Sequence, residues 1–487
     1  MSWKETAEPV LTRMPTVQKP EGHIPFRRKL GWTAGTLVLY FFLSNVLLFG
    51  ANQGSDIFGQ FRSILAGGQG TILQLGIGPI VTASIVLQLL GGANLLGLDT
   101  DDPRDQVLYQ GLQKFLVLVM ICLTGLPMVF ASGFLPADPQ LAQALGVPLS
   151  VIKWLIFAQI AVGGILILFM DEVISKWGVG SGVGLFIVAG VSQKLIGGLL
   201  ALPNLGGQQP GILVTWVEIV LGDISVGSPL TGSGMQTLLF GVGSVVPLLT
   251  TVLIFCVVVY AESVRVEIPL SHARVKGARG RYPVKLIYAS VLPMIFVRAL
   301  QANVQFLGRI LSSQLGTDLP QWLGVYIDGR PVDGLFYYLN PIHNPQQWMW
   351  WAGSVTQEPW QIMLRVIVDL TLMLVGGALF SIFWVETADM GPEATARQIQ
   401  NSGMQIPGFR RNPQVIEKVL ERYIPQVTVL GGILVGLLAV LANMLGTIGG
   451  ISGTSLLLTV SITYKLYEEI AEEQLMEMHP MMRQLFG

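Results

Sequence analysis

The sequence predicts an all-α, polytopic membrane protein with ten transmembrane helices. Three observations carry that expectation. Of 487 residues, 51% are hydrophobic and only 12% are charged, about half the ~25% usual for a soluble domain. The apolar residues gather into runs close to the ~20 residues a helix needs to cross the hydrocarbon. The lysines and arginines fall unevenly on the segments between those runs. A soluble chain of this length would need several domains, since one core rarely exceeds ~300 residues, and more surface charge to cover them. The net charge of −1 supplies no global field for nucleic acid.

The N-terminal MSWKETAEPVLTRMP is polar and mixed. It lacks the passage from a basic patch into an apolar core that marks a cleavable signal peptide, so 1–29 is expected to be a cytosolic segment. The spans then follow at 30–50, 73–90, 115–134, 151–170, 183–202, 238–259, 286–311, 362–384, 424–445 and 451–467. The second is broken. FRSILAGGQGTILQLGIGPIVTASIV (61–86) holds an arginine, glycine-rich interruptions and a proline, which membrane helices tolerate where the backbone lines a cavity. Elsewhere the 57 glycines and 27 prolines suit closely packed and broken membrane helices.

Ten spans place both termini on one side. Of the 29 lysines and arginines, Arg62 and Arg330 are the two that fall clearly on the other side. Lys153, Lys194, Arg298, Arg309 and Arg365 lie in helices or at their ends. The rest fall on the side that holds the termini, which predicts cytoplasmic termini in the cell membrane. Segments 203–237 and 313–360 are then external. The first has no Lys or Arg, and the second carries Trp348, Trp350, Trp351 and Trp360, which suit a membrane interface. No literal repeat is visible.

Enzyme chemistry finds little support. The four histidines, His23, His272, His343 and His479, are scattered through loops and tails. No HExxH, Walker lysine loop or GxSxG is present. GVGSGVG (178–184) opens a membrane helix and follows no strand, so its glycines are read as a tight turn and close packing rather than a dinucleotide loop. Cys122 and Cys256 lie in apolar runs without metal spacing. No metal and no cofactor are expected.

A coupled transporter is the competing reading, because buried acids mark ion paths. Asp171, Glu172 and Glu262 sit at inner helix ends, and Asp369 is the acid well inside a span. The other buried polar candidates are neutral: Thr82, Ser84, Gln88, Asn303, Gln305, Thr454 and Ser455. That weakens proton coupling and leaves a secondary transporter of a small neutral solute as the alternative.

Two inner loops stand out. RVEIPLSHARVKGARGRYPVK (265–285) sets basic residues against one acid, with turn residues Gly277, Gly280 and Pro283. IPGFRRNPQVIEKVLERY (406–423) is also basic. Such loops can signal topology, attract anionic lipid, or dock a phosphate backbone or acidic partner. The tail KLYEEIAEEQLMEMHPMMRQLFG reads as a half-solvated continuation of the last helix.

These stretches also carry a resemblance. LGIGPIVTASIVLQLL (75–90), MDEVISKWGVGSGVGLFIVAGVSQ (170–193), the 265–285 loop, VLPMIF (291–296) and GTSLLLTVSITYKLYEE (453–469) occur in an order and spacing that resemble the SecY family in its archaeal form, across essentially the whole chain. The eukaryotic translocon alpha subunit is in the same family. The resemblance implies two pseudo-symmetric five-helix halves, 30–202 and 238–467, around a central pore. The loop 203–237 joins them, the cytosolic loops are 262–285 and 385–423, and 468–487 is a cytosolic tail. It implies a pore-forming subunit of the Sec protein-conducting channel, which passes unfolded secretory polypeptides and releases membrane segments through a lateral gate. It is not an enzyme.

Residue by residue, the resemblance implies a plug at about 55–70, including Phe58, Phe61, Arg62, Ile64 and Leu65, with the true second span beginning near Thr71. It implies an apolar pore ring of Ile77, Val81, Val183, Ile187, Ile295 and Leu458. The lateral gate would use Thr82, Gln88 and Asn303, with Thr124 standing where some archaeal relatives place a carboxylate. Ribosome docking falls to Arg274, Lys276, Arg279, Arg281, Arg410 and Arg411. The implied partners are a SecE-type clamp subunit, a small beta subunit, the translating ribosome and its RNA, the signal recognition particle receptor indirectly, nascent polypeptides and membrane lipid.

Overall fold

The computed structural model describes residues 3–478, apart from 23, 53–60, 93–95, 98–101, 132–133, 203–209, 223–231, 242, 273–278, 288, 290, 328, 353–354, 356, 389, 402–403 and 406–412. Ten helices correspond to the ten expected spans: α1 (Phe26–Ser44), α2 (Gly78–Gly92), α3 (Pro103–Phe130), α4 (Leu149–Trp177), α5 (Gly182–Leu200), α6 (Val245–Ser263), α7 (Leu292–Leu315), α8 (Pro359–Thr387), α9 (Pro413–Leu445) and α10 (Gly453–Met478). Their ends carry local signals. Asp102 caps α3, with Pro103 at its first position. A reciprocal pair, Glu358 and Gln361, caps α8. Both arrangements satisfy amides that the first turn leaves free.

The helices sort by their packing. In the first set α2 packs on α3, α3 on α4, and α4 on α1 and α5. In the second α8 packs on α9, α7 on α8, and α10 on α6 and α9. The sets meet along two seams: α2 against α7 and α8, and α5 against α10. One continuous apolar core runs between them, from Tyr40 and Ile64 through Ile187 and Ile295 to Leu458. Their outer faces expose large apolar residues such as Val38, Leu123, Val252, Phe255 and Ile367, as lipid contact requires. Cys122 and Cys256 are free and exposed.

Several boundaries depart from expectation. The second span begins at Gly78, not near Thr71. Residues 71–77 make turns, because Gly76 adopts φ +55 and Pro79 sits in the first helical turn. α9 and α10 run past the membrane: a 33-residue helix is about 50 Å long against a hydrocarbon of about 30 Å. The segment 203–237, expected to be external, contains the apolar helix Ile212–Leu221, too short at ~15 Å to span.

The basic loops also hold strands that charge counting passed over. β1 (Arg265–His272) pairs antiparallel with β2 (Arg279–Lys285). Between α7 and α8, β3 (Val325–Ile327) pairs with β4 (Arg330–Asp333). β5 (Met404–Gln405), from the second basic loop, joins β1, with Ser271 opposite Gln405. The two basic loops therefore share one sheet, ordered β2-β1-β5.

Candidate functional site

The broken segment is buried between the two helix sets. Phe61 precedes the short helix Arg62–Leu65, and Phe61, Ile64 and Leu65 are all buried. Ala66 ends the helix in the left-handed region, at φ +50, and its carbonyl accepts from the Tyr40 hydroxyl at 3.0 Å. The Ile77 amide donates to the Leu65 carbonyl at 2.7 Å. Ser63 Oγ lies 2.9 Å from Ser455 Oγ on α10, both buried. Gly76 permits this closure: a Cβ there would meet the Leu65 carbonyl oxygen at 2.0 Å. The segment packs against α5, α7 and α10.

The short helix carries its arginine inward: Arg62 is only 7% exposed. It borders a cavity of about 780 Å³ whose walls include Ser44, Asn45, Gln193, Ser244 and Thr447. Those residues lie near the ends of α1, α5, α6 and α9 that face away from the terminal segments. Phe58 lies outside the described residues.

The six expected ring positions converge. Ile77, Val81, Ile187, Ile295 and Leu458 are each at most 3% exposed, and Val183 packs against the same core. Phe61, Ile64 and Leu65 belong to that core too. Four separate stretches of sequence, with the short helix as a fifth, thus share one apolar core.

At the seam, Asn303 Nδ2 on α7 donates to Thr82 Oγ1 on α2 at 3.1 Å. Gln88 is buried, and its Oε1 has no partner among the described residues. Thr124 is half-buried on α3 and makes no side-chain hydrogen bond among the described residues. The tie between α3 and α2 comes instead from Gln113 Nε2 to Ser84 Oγ at 3.2 Å. Thr82 and Asn303 are brought together; Thr124 has no bond to either.

A polar cluster within the second helix set escaped sequence reading. Arg298 on α7 and Asp369 on α8 form an ion pair at 3.1 Å, each 1% exposed. Gln301 Oε1 accepts from Arg298 at 2.7 Å, and Thr454 Oγ1 on α10 accepts at 3.2 Å. Asp369 Oδ2 also accepts from the Ile342 amide at 3.5 Å. Arg365 donates to the carbonyls of Asn340 and Pro341 at 2.8 and 3.0 Å and lies 4.9 Å from the Tyr337 ring. The signal was present as charges inside apolar runs, but their pairing is set by the fold. Trp348, expected as an interfacial anchor, uses its indole N–H on the Met444 carbonyl at 2.8 Å.

Of the docking residues, Arg279 and Arg281 lie on β2; Arg274, Lys276, Arg410 and Arg411 lie outside the described residues. The sheet is anchored by Glu468 on α10, which accepts from Arg265 at 2.9 Å and pairs with Lys285. Arg265 and Lys285 are themselves cross-strand partners. A second apolar cluster, including Val284, Ala396, Ile399, Ile416 and Leu420, ties β2 to the helix Pro392–Asn401 and to the first turns of α9.

Comparison with known proteins places this geometry in context. The SecY family model matches residues 71–467, and the model described as the plug domain of Sec61p matches 38–70. The protein translocase subunit SecY of Haloarcula marismortui is 72% identical over 100% of both chains. A solved structure described as that of a protein conducting channel is 37% identical, with a TM-score of 0.79 over 97% of this chain and 98% of the other. Sec61 in a canine ribosome–channel complex from the endoplasmic reticulum is 36% identical, with a TM-score of 0.77 over the same shares.

Proposed function

The chain belongs to the SecY family and is the pore-forming subunit of a protein translocation channel, not an enzyme; from that premise we propose how its own residues conduct a polypeptide. The observation that carries the proposal is the shared apolar core of Ile77, Val81, Ile187, Ile295 and Leu458 with Phe61, Ile64 and Leu65. The first group is the pore ring, with Val183 completing it, and the second is the plug. A collar of branched aliphatics dewets and excludes hydrated ions at rest. It can spread around an unfolded chain without offering it hydrogen bonds. The cavity beyond Arg62 and Ser63 is the external vestibule into which the plug withdraws.

The seam between α2 and α7/α8 is the lateral gate. Its Asn303–Thr82 bond parts at modest cost, since polar pairs in membranes average ~0.6 kcal/mol, and membrane segments leave sideways into lipid there. Without a carboxylate at Thr124, the latch relies on neutral partners. The halves 30–202 and 238–467 move about the external joint 203–237.

Both termini are cytoplasmic in the cell membrane. The sheet β2-β1-β5 and the basic loops beside it, including Arg274, Lys276, Arg410 and Arg411, dock the translating ribosome through its RNA backbone. Similarity to a Sec61 channel described in a ribosome complex supports this reading. The driving force comes from the translating ribosome or another partner, because the sequence holds no phosphate-binding loop. A SecE-type clamp and a small beta subunit complete the channel, and the signal recognition particle receptor delivers substrate indirectly.

Purified channel in liposomes tests the proposal. Signal-sequence-dependent passage of a polypeptide is expected. Replacing Ile77, Val81, Ile187 and Ile295 with serine should raise resting ion leak, because a polar collar wets. Saturable uptake of a small solute with no polypeptide passage would favour the transporter instead.

A further inference from the structure

The loop between α7 and α8 is held by side chains from those two helices and by a backbone carbonyl of α9. Gln305 on α7 donates to the Phe336 carbonyl at 2.9 Å. Arg365 on α8 fixes the carbonyls of Asn340 and Pro341. Asp369 on α8 accepts from the Ile342 amide. The Met444 carbonyl on α9 accepts from Trp348. Each of these groups would cost several kcal/mol if left unpaired at membrane depth, so the backbone of 336–348 has little freedom to drift.

The residue after Ile342 faces the plug. The His343 ring meets the Phe61 ring edge-on, with centroids 6.0 Å apart and planes at 89°. This is the arrangement in which the positive edge of one ring meets the negative face of the other. The His343 amide donates to Gln347 Oε1 at 3.2 Å, fixing the turn behind it. Arg298 sits three residues beyond Ile295, one helical turn from the ring position, and Asp369 joins it to Ile342. A continuous set of contacts therefore runs from gate helix α7, through Asp369, to the loop and then to Phe61.

We propose that this loop is a strap that positions the plug, with the Arg298–Asp369 pair fixing its backbone and His343 closing on Phe61. Movement of α7 at the lateral gate disturbs Arg298, releases Ile342 and withdraws His343 from the plug. His343, Arg298 and Asp369 are positioning residues. They act on Phe61 and through it on the closed pore. The inference rests on reading the segment at Phe61 as the plug.

The test uses full-length channel with its partner subunits in liposomes, in a Cys122→Ser, Cys256→Ser background. Ser63→Cys with Ser455→Cys gives a disulfide whose rate of formation reports the seated plug, because the two Oγ atoms are 2.9 Å apart. His343→Ala should slow cross-linking about two- to tenfold, the range expected for losing one edge-on aromatic pair, and raise resting ion leak. His343→Phe, which keeps the ring edge, should restore both.

Arg298→Met with Asp369→Leu removes the pair without leaving a lone buried charge. It should slow cross-linking to a similar degree, and adding His343→Ala should slow it no further. An unchanged rate in His343→Ala, no rescue by His343→Phe, or additive losses would each overturn the strap. If the formed disulfide fails to block polypeptide passage, the plug reading fails instead. If it blocks passage but forms at the same rate in His343→Ala, the strap alone fails.

Discussion

Asn303 on α7 and Thr82 on α2 are hydrogen-bonded at 3.1 Å across the seam that joins the two helix sets. Both groups are neutral, and Thr82 Oγ1 also donates to the Gly78 carbonyl one turn back at 2.9 Å. Thr82 therefore keeps a partner when the seam parts, and Asn303 alone is left to find a new one. Such a bond biases the gate towards closure without locking it. Asn303→Leu should favour opening by about 0.6 kcal/mol, or about threefold. The measurement is translocation of a substrate with a weakened signal sequence, which should improve by that factor. Equal or poorer translocation would show that the bond does not hold the gate.

Gly76 offers a sharper test of how the plug is seated. Its φ of +55 costs an L-residue about 1–2 kcal/mol, and a Cβ would lie 2.0 Å from the Leu65 carbonyl oxygen. That carbonyl accepts the Ile77 amide, so the clash falls on the bond that joins plug to wall. Gly76→Ala should raise resting ion conductance while leaving the helices folded, as judged by circular dichroism. Gly70 also has positive φ, but nothing lies within 4 Å of its Cβ position. Gly70→Asn, whose side chain tolerates the left-handed region, should leave conductance near the parent value.

The Arg298–Asp369 pair separates stability from plug positioning. Removing one partner strands a buried charge and costs about 3–5 kcal/mol. Arg298→Met or Asp369→Leu alone should therefore lower the thermal unfolding midpoint in detergent by several degrees. The double replacement should recover most of that loss, because two apolar side chains of similar volume fill the site. A double variant as unstable as either single one would mean that the hydrogen bonds to Gln301, Thr454 and Ile342 matter more than the charges.

The spans were legible because a membrane demands ~20 apolar residues and the chain supplies them. Their ends were less so. α9 and α10 continue past the apolar runs because cytosolic packing takes over, through Ile416 and Leu420 on the one and Glu468 on the other. RVEIPLSH alternates Val266, Ile268 and Leu270 with polar residues and Pro269, the period of a strand; its charges drew the eye to docking instead. Motif resemblance indicated the ring and plug positions. It did not indicate which buried polar groups meet. Thr82 and Asn303 are 221 residues apart in sequence, and Arg298 and Asp369 are 71 apart, so only the fold brings them together.

Acid should weaken the contact between His343 and Phe61. Burial, then the charges of Arg298 and Arg365, hold its imidazole well below the usual histidine range. Its Nε2 is shut off from solvent with no partner among the described residues. Asp369, the acid facing the same loop, is committed to Arg298, Gln301 and the Ile342 amide. A depressed histidine binds fewer protons in the folded state than in the unfolded one. Its contribution to stability is complete above the unfolded value of ~6.5 and falls as pH drops below it. Lowering external pH from about 7.5 to about 5 should therefore raise resting leak, because His343 takes up a proton on leaving this site and acid so favours its withdrawal from Phe61. In His343→Phe, which keeps the edge-on contact with Phe61 and cannot titrate, that pH dependence should disappear. The same slope in both proteins would assign the acid response to another group.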